Sequence, residues 1–196
     1  MAAGAAAGEL TLGLLAGGRG SRLGGVDKAW LERDGVPQVL RFARRFPGET
    51  GPVMVSANRD LQKYADAGLP AFPDRLPEGS GPLAGIEALA AACATPWLLT
   101  LPVDLFDAND CLVRTLRAGA AKDGAMAEDD DGQQPLVALY RRDALRAALP
   151  EALAAGELAP RDLHRRMALS CVRLPGVRFG NLNTPQDLSM ARIALP

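Results

Sequence analysis

The apolar run Leu10–Leu15 stops abruptly at Gly17, Gly18 and Gly20, and this junction narrows the choice of fold more than any other stretch of the chain. A short apolar run bounded by glycines suits a strand buried on both faces of a parallel sheet. The loop that follows carries Arg22, a second glycine pair at Gly24 and Gly25, and then Lys28. Glycines remove the Cβ obstacle, so backbone N–H groups can come close to an anion, and two cations on one loop can neutralise a polyphosphate. A buried strand feeding such a loop points to a nucleotide site rather than to a plain connector. Two common glycine fingerprints do not fit. Lys28 follows Asp27 where a Walker loop needs Gly-Lys-Ser/Thr, and Leu23 stands where a dinucleotide loop wants a small residue.

Beyond the loop, strands alternate with helices. Strands are expected at Pro52–Ser56, Ala71–Phe72 and Trp97–Leu101, and helices at Gln38–Phe46, near Asp60–Ala67, at Ile86–Ala94 and at Asn109–Ala118. This alternation predicts a Rossmann-like, doubly wound, mostly parallel α/β sheet with helices on both faces, which binds ligands at the carboxyl ends of its strands. The chemically suggestive residues do follow strands: Ser56 and Asn58 the second, Asp74 the third, Asp104 the central one. After residue 120 the pattern shifts to strands at Gly124–Ala127 and Leu136–Tyr140, joined through Glu128–Asp131 read as a solvated hairpin turn. A helix from Arg142 to about Ala155, with Pro150 starting a second segment, precedes a strand near Cys171–Leu174. The last helix starts at Pro185, with Thr184 as N-cap and Asp187 in its first turn.

Residues 1–9 read as a disordered Ala/Gly tail without a targeting pattern, and residues 10–196 as one domain with room for a proper core. A net charge of −1 gives no electrostatic case for nucleic acid or a membrane surface. Three scattered cysteines point to a reducing, cytoplasmic setting and against a disulfide framework or zinc site. His164 is the single histidine, so a Ser-His-Asp machine would rest entirely on it; there is no Gly-x-Ser-x-Gly elbow, and a structural role for His164 is expected.

Leu15-Ala16-Gly17-Gly18, Arg22, Gly24-Gly25 and Asp27-Lys28 together resemble the first motif of the molybdenum cofactor guanylyltransferases of MobA type, a nucleotidyltransferase family, with Leu23 in place of its Met. Further matches are Gly81-Pro82-Leu83-Ala84-Gly85, Pro102-Val103-Asp104 in place of Pro-Cys-Asp, and Asn181-Leu182-Asn183-Thr184-Pro185. The resemblance covers roughly residues 10–190 and is strong through residue 104 and at 179–188. It implies a nucleotidyltransferase-type sheet in which Asp104 binds Mg²⁺. Arg22 and Lys28 hold the triphosphate, and the two glycine loops select guanine. Asp74 and Ser56 contact the nucleotide, the latter replacing an asparagine. If the 181–183 segment is extended, Asn181 and Asn183 point to one side and can orient phosphate or ligate the ion. Gln134 stands where the family has histidine, either hydrogen-bonding in its place or marking another acceptor.

The implied reaction is Mg²⁺-dependent transfer of GMP from GTP to the terminal phosphate of molybdopterin, with pyrophosphate released. A phosphate monoester is already a nucleophile at neutral pH, which suits a chain so poor in histidine. A monomer that meets a pterin-delivering protein transiently is expected. The alternatives are a relative using CTP or a sugar phosphate, or a non-catalytic nucleotide-binding protein.

Overall fold

A computed structural model describes residues 7–17, 26–77 and 79–193. In chain order its strands are β1 (Leu10–Leu15), β2 (Glu32–Arg33), β3 (Val36–Pro37), β4 (Val53–Ser56), β5 (Ala71–Phe72), β6 (Trp97–Pro102), β7 (Gly124–Asp129), β8 (Gly132–Arg141) and β9 (Ser170–Arg173). The helices are α1 (Gln38–Ala43), α2 (Leu61–Asp66), α3 (Pro82–Ala92), α4 (Leu112–Gly119), α5 (Arg142–Ala154), α6 (Pro160–Met167) and α7 (Pro185–Met190). Seven strands join in the order β5-β4-β1-β6-β8-β7-β9. All neighbours are parallel except β8, which runs against both β6 and β7. The turn Asp130–Asp131 between β7 and β8 is too short for a parallel crossover, so the hairpin alone reverses the direction.

The period-2 alternation of each strand divides the core between the two faces of the sheet. Leu12, Leu14, Leu99, Leu101, Val137 and Leu139 face Val39 and Phe42 of α1, Tyr64 of α2 and Leu112 and Leu116 of α4. Leu98, Ala138 and Tyr140 face Ile86 and Leu89 of α3, Leu145 and Leu149 of α5 and Leu163 of α6. Cutting a leucine such as Leu99 back to alanine in a core of this kind costs about 2–5 kcal/mol. Gly13, in the middle of β1, has a packing reason. A Cβ there would lie 2.9 Å from Leu89 and 3.0 Å from Leu98, so its absence lets α3 sit close on the sheet.

The fold departs from the sequence reading in a few places. Pro150 does not start a new helix. It lies inside α5, where the buried stripe Leu145, Leu149 and Ala152 carries the helix past the missing N–H. Helix α6 was not expected, because half of its eight residues are charged and it buries only Leu163, His164 and Met167; Pro160 at its first turn was the available signal. The β2–β3 ribbon turns through Asp34-Gly35, both at positive φ, an Asp-Gly hairpin signature that the apolar pattern obscured. Ala7–Glu9 form a single 3-10 turn. In the acidic hairpin, Asp130 and Asp131 are exposed as expected, but Asp129 is turned inward and is 3% exposed.

His164 is structural. Its Nε2 lies 2.7 Å from the Tyr140 hydroxyl and its Nδ1 3.3 Å from the Met126 sulfur, contacts that a neutral ring protonated on Nδ1 satisfies. Burial lowers its pKa from 6.5 to about 4. A depressed folded pKa contributes stability that is complete above the unfolded value and lost as pH falls from about 6.5 toward 4. By pH 5 the loss amounts to about 2 kcal/mol, or roughly 4–8 °C in thermal midpoint for a domain of this size. His164→Gln should flatten this dependence between pH 7 and pH 5. An unchanged slope in that variant would show that other groups govern acid stability.

Candidate functional site

The site lies along the carboxyl edge of β4, β1 and β6. Beyond β1, Ala16 donates its N–H to the Ser56 carbonyl at 2.8 Å, and Val103 donates to the Leu15 carbonyl at 3.1 Å. The ends of three strands are thereby locked level. Gly18 and Arg22 lie outside the described residues, and the chain is followed again from Val26. Asp27 then caps a 3-10 turn, its carboxylate accepting the Ala29 N–H at 3.0 Å. Ala29 is anchored in the core, which turns Lys28 back toward the end of β6.

Three segments meet at the Lys28 ammonium. It donates to Asp104 Oδ2 at 3.0 Å and to Asn183 Oδ1 at 2.6 Å, and the Lys28 and Asp104 side chains are 17% and 28% exposed. Each partner is held from behind. The Asp104 carbonyl accepts the Leu182 N–H at 2.7 Å. Asp187 Oδ2 accepts the Asn183 and Thr184 N–H groups, while Thr184 Oγ1 accepts the Asp187 N–H, closing the capping box that opens α7. These hydrogen bonds hold the Asp187 carboxyl below the usual carboxylate range, the Thr184 side chain contributing most. Leu182 is fully buried with Leu31 and Leu188. The alternation expected for 181–183 therefore orients Leu182 and Asn183. Exposed Asn181 instead pairs through its backbone with Leu105, and of the two amides Asn183 is the one that reaches Lys28 among the described contacts.

A second group forms past β4 and β5. Asn58 grips Asp74 from both ends: its Nδ2 donates to Asp74 Oδ2 and its Oδ1 accepts the Asp74 N–H, both at 2.8 Å. The Ser56 hydroxyl reaches Asp74 Oδ1 at 3.4 Å. Asn58 also lines a small cleft with Ala16, Gly17, Asp27, Ala57 and Arg59. Asn58, noted with Ser56 in the sequence as following the second strand, is the residue that grips Asp74 here.

The Gly81–Gly85 loop divides in two. Gly81 takes φ 60, ψ −155, a region open to glycine, and Pro82 follows as the first residue of α3; both are exposed. Leu83, Ala84 and Gly85 are buried. A Cβ on Gly85 would stand 2.7 Å from Ser56 Oγ and 3.0 Å from Leu15, so this glycine brings α3 against the strand ends. The side-chain positions of Leu83, Ala84 and Gly85 thus serve packing of α3 against the sheet.

A carboxylate, an amide oxygen and an ammonium thus meet at the end of β6. Residues 13–170 match the family model for the MobA-like NTP transferase domain. The chain belongs to this family. Among relatives of this MobA-like chain, the molybdenum cofactor guanylyltransferase of Cupriavidus necator is 38% identical over 70% of this chain and 73% of its own length. That of Cupriavidus metallidurans is 32% identical over 93% of this chain and 94% of its own. That of Pseudomonas fluorescens is 36% identical over 89% and 90%. The MobA-like fold is shared with molybdopterin-guanine dinucleotide biosynthesis protein A from Archaeoglobus fulgidus, at TM-score 0.66 and 22% identity over 92% of this chain and 96% of that one. A nucleotidyl transferase from a Methanothermobacter species superposes at 0.70, with 16% identity over 93% and 95%.

Proposed function

We propose that the protein is a guanylyltransferase of molybdenum cofactor synthesis, transferring GMP from GTP to the terminal phosphate of molybdopterin. The acceptor's phosphate oxygen forms a bond to the α-phosphorus of GTP, the bond from that phosphorus to the β-phosphate oxygen breaks, and pyrophosphate leaves. The observation that carries this reading is the meeting of Lys28, Asp104 and Asn183 at the strand edge where the glycine loop begins.

The donor set fits Mg²⁺. Asp104 and Asn183 both turn an oxygen toward one cation, the Lys28 ammonium, and hard oxygen donors are what this ion takes. Among the described residues no group of three or more acidic, Cys or His side chains could hold a metal, so Asp104 and Asn183 would share it with phosphate oxygens and water. When bound, the ion neutralises phosphate charge that builds up during transfer. The chain's own residues position and neutralise. Lys28, with Arg22 from the loop, sets positive charge against the triphosphate, and Asp104 and Asn183 keep that charge in place. Asp74, gripped by Asn58, is oriented for the nucleoside, and Gly17, Gly81 and Pro82 leave backbone open to the base. The reading includes a monomeric cytoplasmic enzyme supplied by a pterin-delivering protein. No helix among the described residues is long and apolar enough to cross a membrane.

Thermal shift with GTP, CTP, UTP and ATP, each with and without Mg²⁺, tests the base and the ion together. A ligand at a hundred times its dissociation constant stabilises by about 2.7 kcal/mol. For a domain of this size the midpoint should rise by roughly 5–10 °C. GTP alone should produce the shift, and Mg²⁺ should enlarge it. A response to CTP instead would overturn the guanine assignment, and no response to any nucleotide would favour a non-catalytic relative.

A further inference from the structure

The inward-facing Asp129 has no part in the chemistry above, yet it is tied to the segment that delivers Asn183. Its Oδ1 accepts the Gln134 side-chain amide and the Asp131 N–H, both at 2.9 Å. Its Oδ2 accepts the Phe179 N–H, also at 2.9 Å and buried. Burial alone would raise this carboxyl, but hydrogen bonds from Phe179, Gln134, Asp131 and Gly132 outweigh it and hold it below its ordinary value. The hairpin makes further ties to the same stretch. Asp130 donates its N–H to the Val177 carbonyl at 2.9 Å, Gly176 donates to the Asp130 carboxylate at 3.3 Å, and Arg178 lies 3.5 Å from Asp131.

From Phe179 the chain runs as a strap along the residues that follow β6. The Phe179 carbonyl accepts the Phe106 N–H at 3.0 Å and the Asp107 N–H at 3.3 Å. Asn181 pairs antiparallel with Leu105, and Leu182 donates to the Asp104 carbonyl. Asn183 comes next, on Lys28. Asp129 thus fixes one end of a short strap, bent at Gly180 (φ 58), whose other end is the site amide. A slip by one residue in an extended segment turns every side chain to the opposite face. Such a slip would carry Asn183 away from Lys28 and bring Leu182 out of the core.

We propose that Asp129, aligned by Gln134, is a positioning residue that sets the register of the Phe179–Asn183 strap against Asp104 and so places the Asn183 amide at Lys28. Gln134 then acts through Asp129 and is not an acceptor contact. The consequence for turnover rests on the guanylyltransferase reading; the anchoring of the strap does not. The four groups around the Asp129 carboxylate, from Phe179, Gln134, Asp131 and Gly132, are all donors. Asp129→Asn therefore sets an amide NH₂ against a donor, whereas Gln134→Ala removes one donor and leaves the other three.

Gln134→Ala is the variant to make first, because Gln134 is only half-buried and the fold has least to lose. Hydrogen–deuterium exchange should quicken about tenfold in peptides covering residues 177–184 while the α3 and β1 peptides stay unchanged. In the GTP and molybdopterin assay, kcat should fall about tenfold with both KM values within about twofold. Gln134→His, whose ring N–H can replace the amide donor, should restore exchange and kcat. Asp129→Asn should exceed Gln134→Ala in both readouts. Unchanged exchange at 177–184 overturns the proposal, as does quickened exchange with unaltered kcat. An isolated rise in the acceptor KM would make Gln134 a substrate contact and overturn it too. If the wild-type protein releases no pyrophosphate from GTP, the guanylyltransferase reading fails by itself, and the exchange result alone supports or overturns the strap.

Discussion

Asp104→Ala should lower GTP-dependent pyrophosphate release by about a thousandfold or more, with the protein still folded. On the proposed reading, the substitution removes the carboxylate that holds both the metal and the Lys28 ammonium, and a rate loss of that size corresponds to about 4 kcal/mol of transition-state stabilisation. The fold loses little. The Lys28–Asp104 pair is partly exposed, so solvent screening limits its worth to about 1 kcal/mol or less. The backbone bond from Leu182 to the residue 104 carbonyl needs no side chain. The thermal midpoint should accordingly move by about 4 °C or less. Asp104→Asn separates shape from charge: it keeps an oxygen in place but removes the negative charge, and it should remain at least a hundredfold impaired. Release of pyrophosphate at the wild-type rate by either variant would remove Asp104 from the mechanism.

How far the site could be read from the sequence depends on the range of the interactions that build it. Leu10–Leu15 emerged with its observed limits because a buried strand ending in glycine is a local signal, and Ala71–Phe72, bounded by Pro70 and Pro73, also emerged with its limits. The edge of the sheet that gathers Ser56, Asp74 and Asp104 followed from the alternation of strands and helices, since strand direction alone decides which loops share an edge. The N-cap at Thr184 was also visible, because the cap and its Asp187 partner are three residues apart. Long-range contacts were another matter. Lys28 meets Asn183 across 155 residues, and no local pattern says that these two side chains share an atom-scale site; the match to two separate family motifs brought them together. The inward turn of Asp129 has no local signature either. Four acids in a row read as solvated, and one of them is buried because a distant N–H, that of Phe179, needs an acceptor. Burial is not legible in Gly81–Gly85 either: a motif that reads as one loop is divided into an exposed part and a packed part.

Lys28→Ala should act in opposite directions on turnover and on metal binding. With nucleotide and acceptor present, the rate should fall about a hundredfold, because a positive charge aimed at the phosphates is lost and mobile ions in solvent do not replace a preorganised one. Without nucleotide, the ammonium that Asp104 and Asn183 now hold is itself a cation at the place proposed for Mg²⁺. Its removal frees two oxygen donors and relieves like-charge repulsion, so Mn²⁺ titrated into the apo protein and followed by electron paramagnetic resonance should bind several-fold more tightly. Lys28→Met keeps much of the length and apolar stem without the charge, and it should behave as Lys28→Ala does if charge is the cause. The residues also act as a unit, so their effects should not add. Once Asp104 is alanine, losing Lys28 as well should cost less than tenfold further, since the ammonium has already lost its charged partner. Weaker Mn²⁺ binding in Lys28→Ala would mean that the lysine builds the oxygen pair rather than competing for it. A rate within tenfold of wild type would separate Lys28 from phosphate transfer altogether.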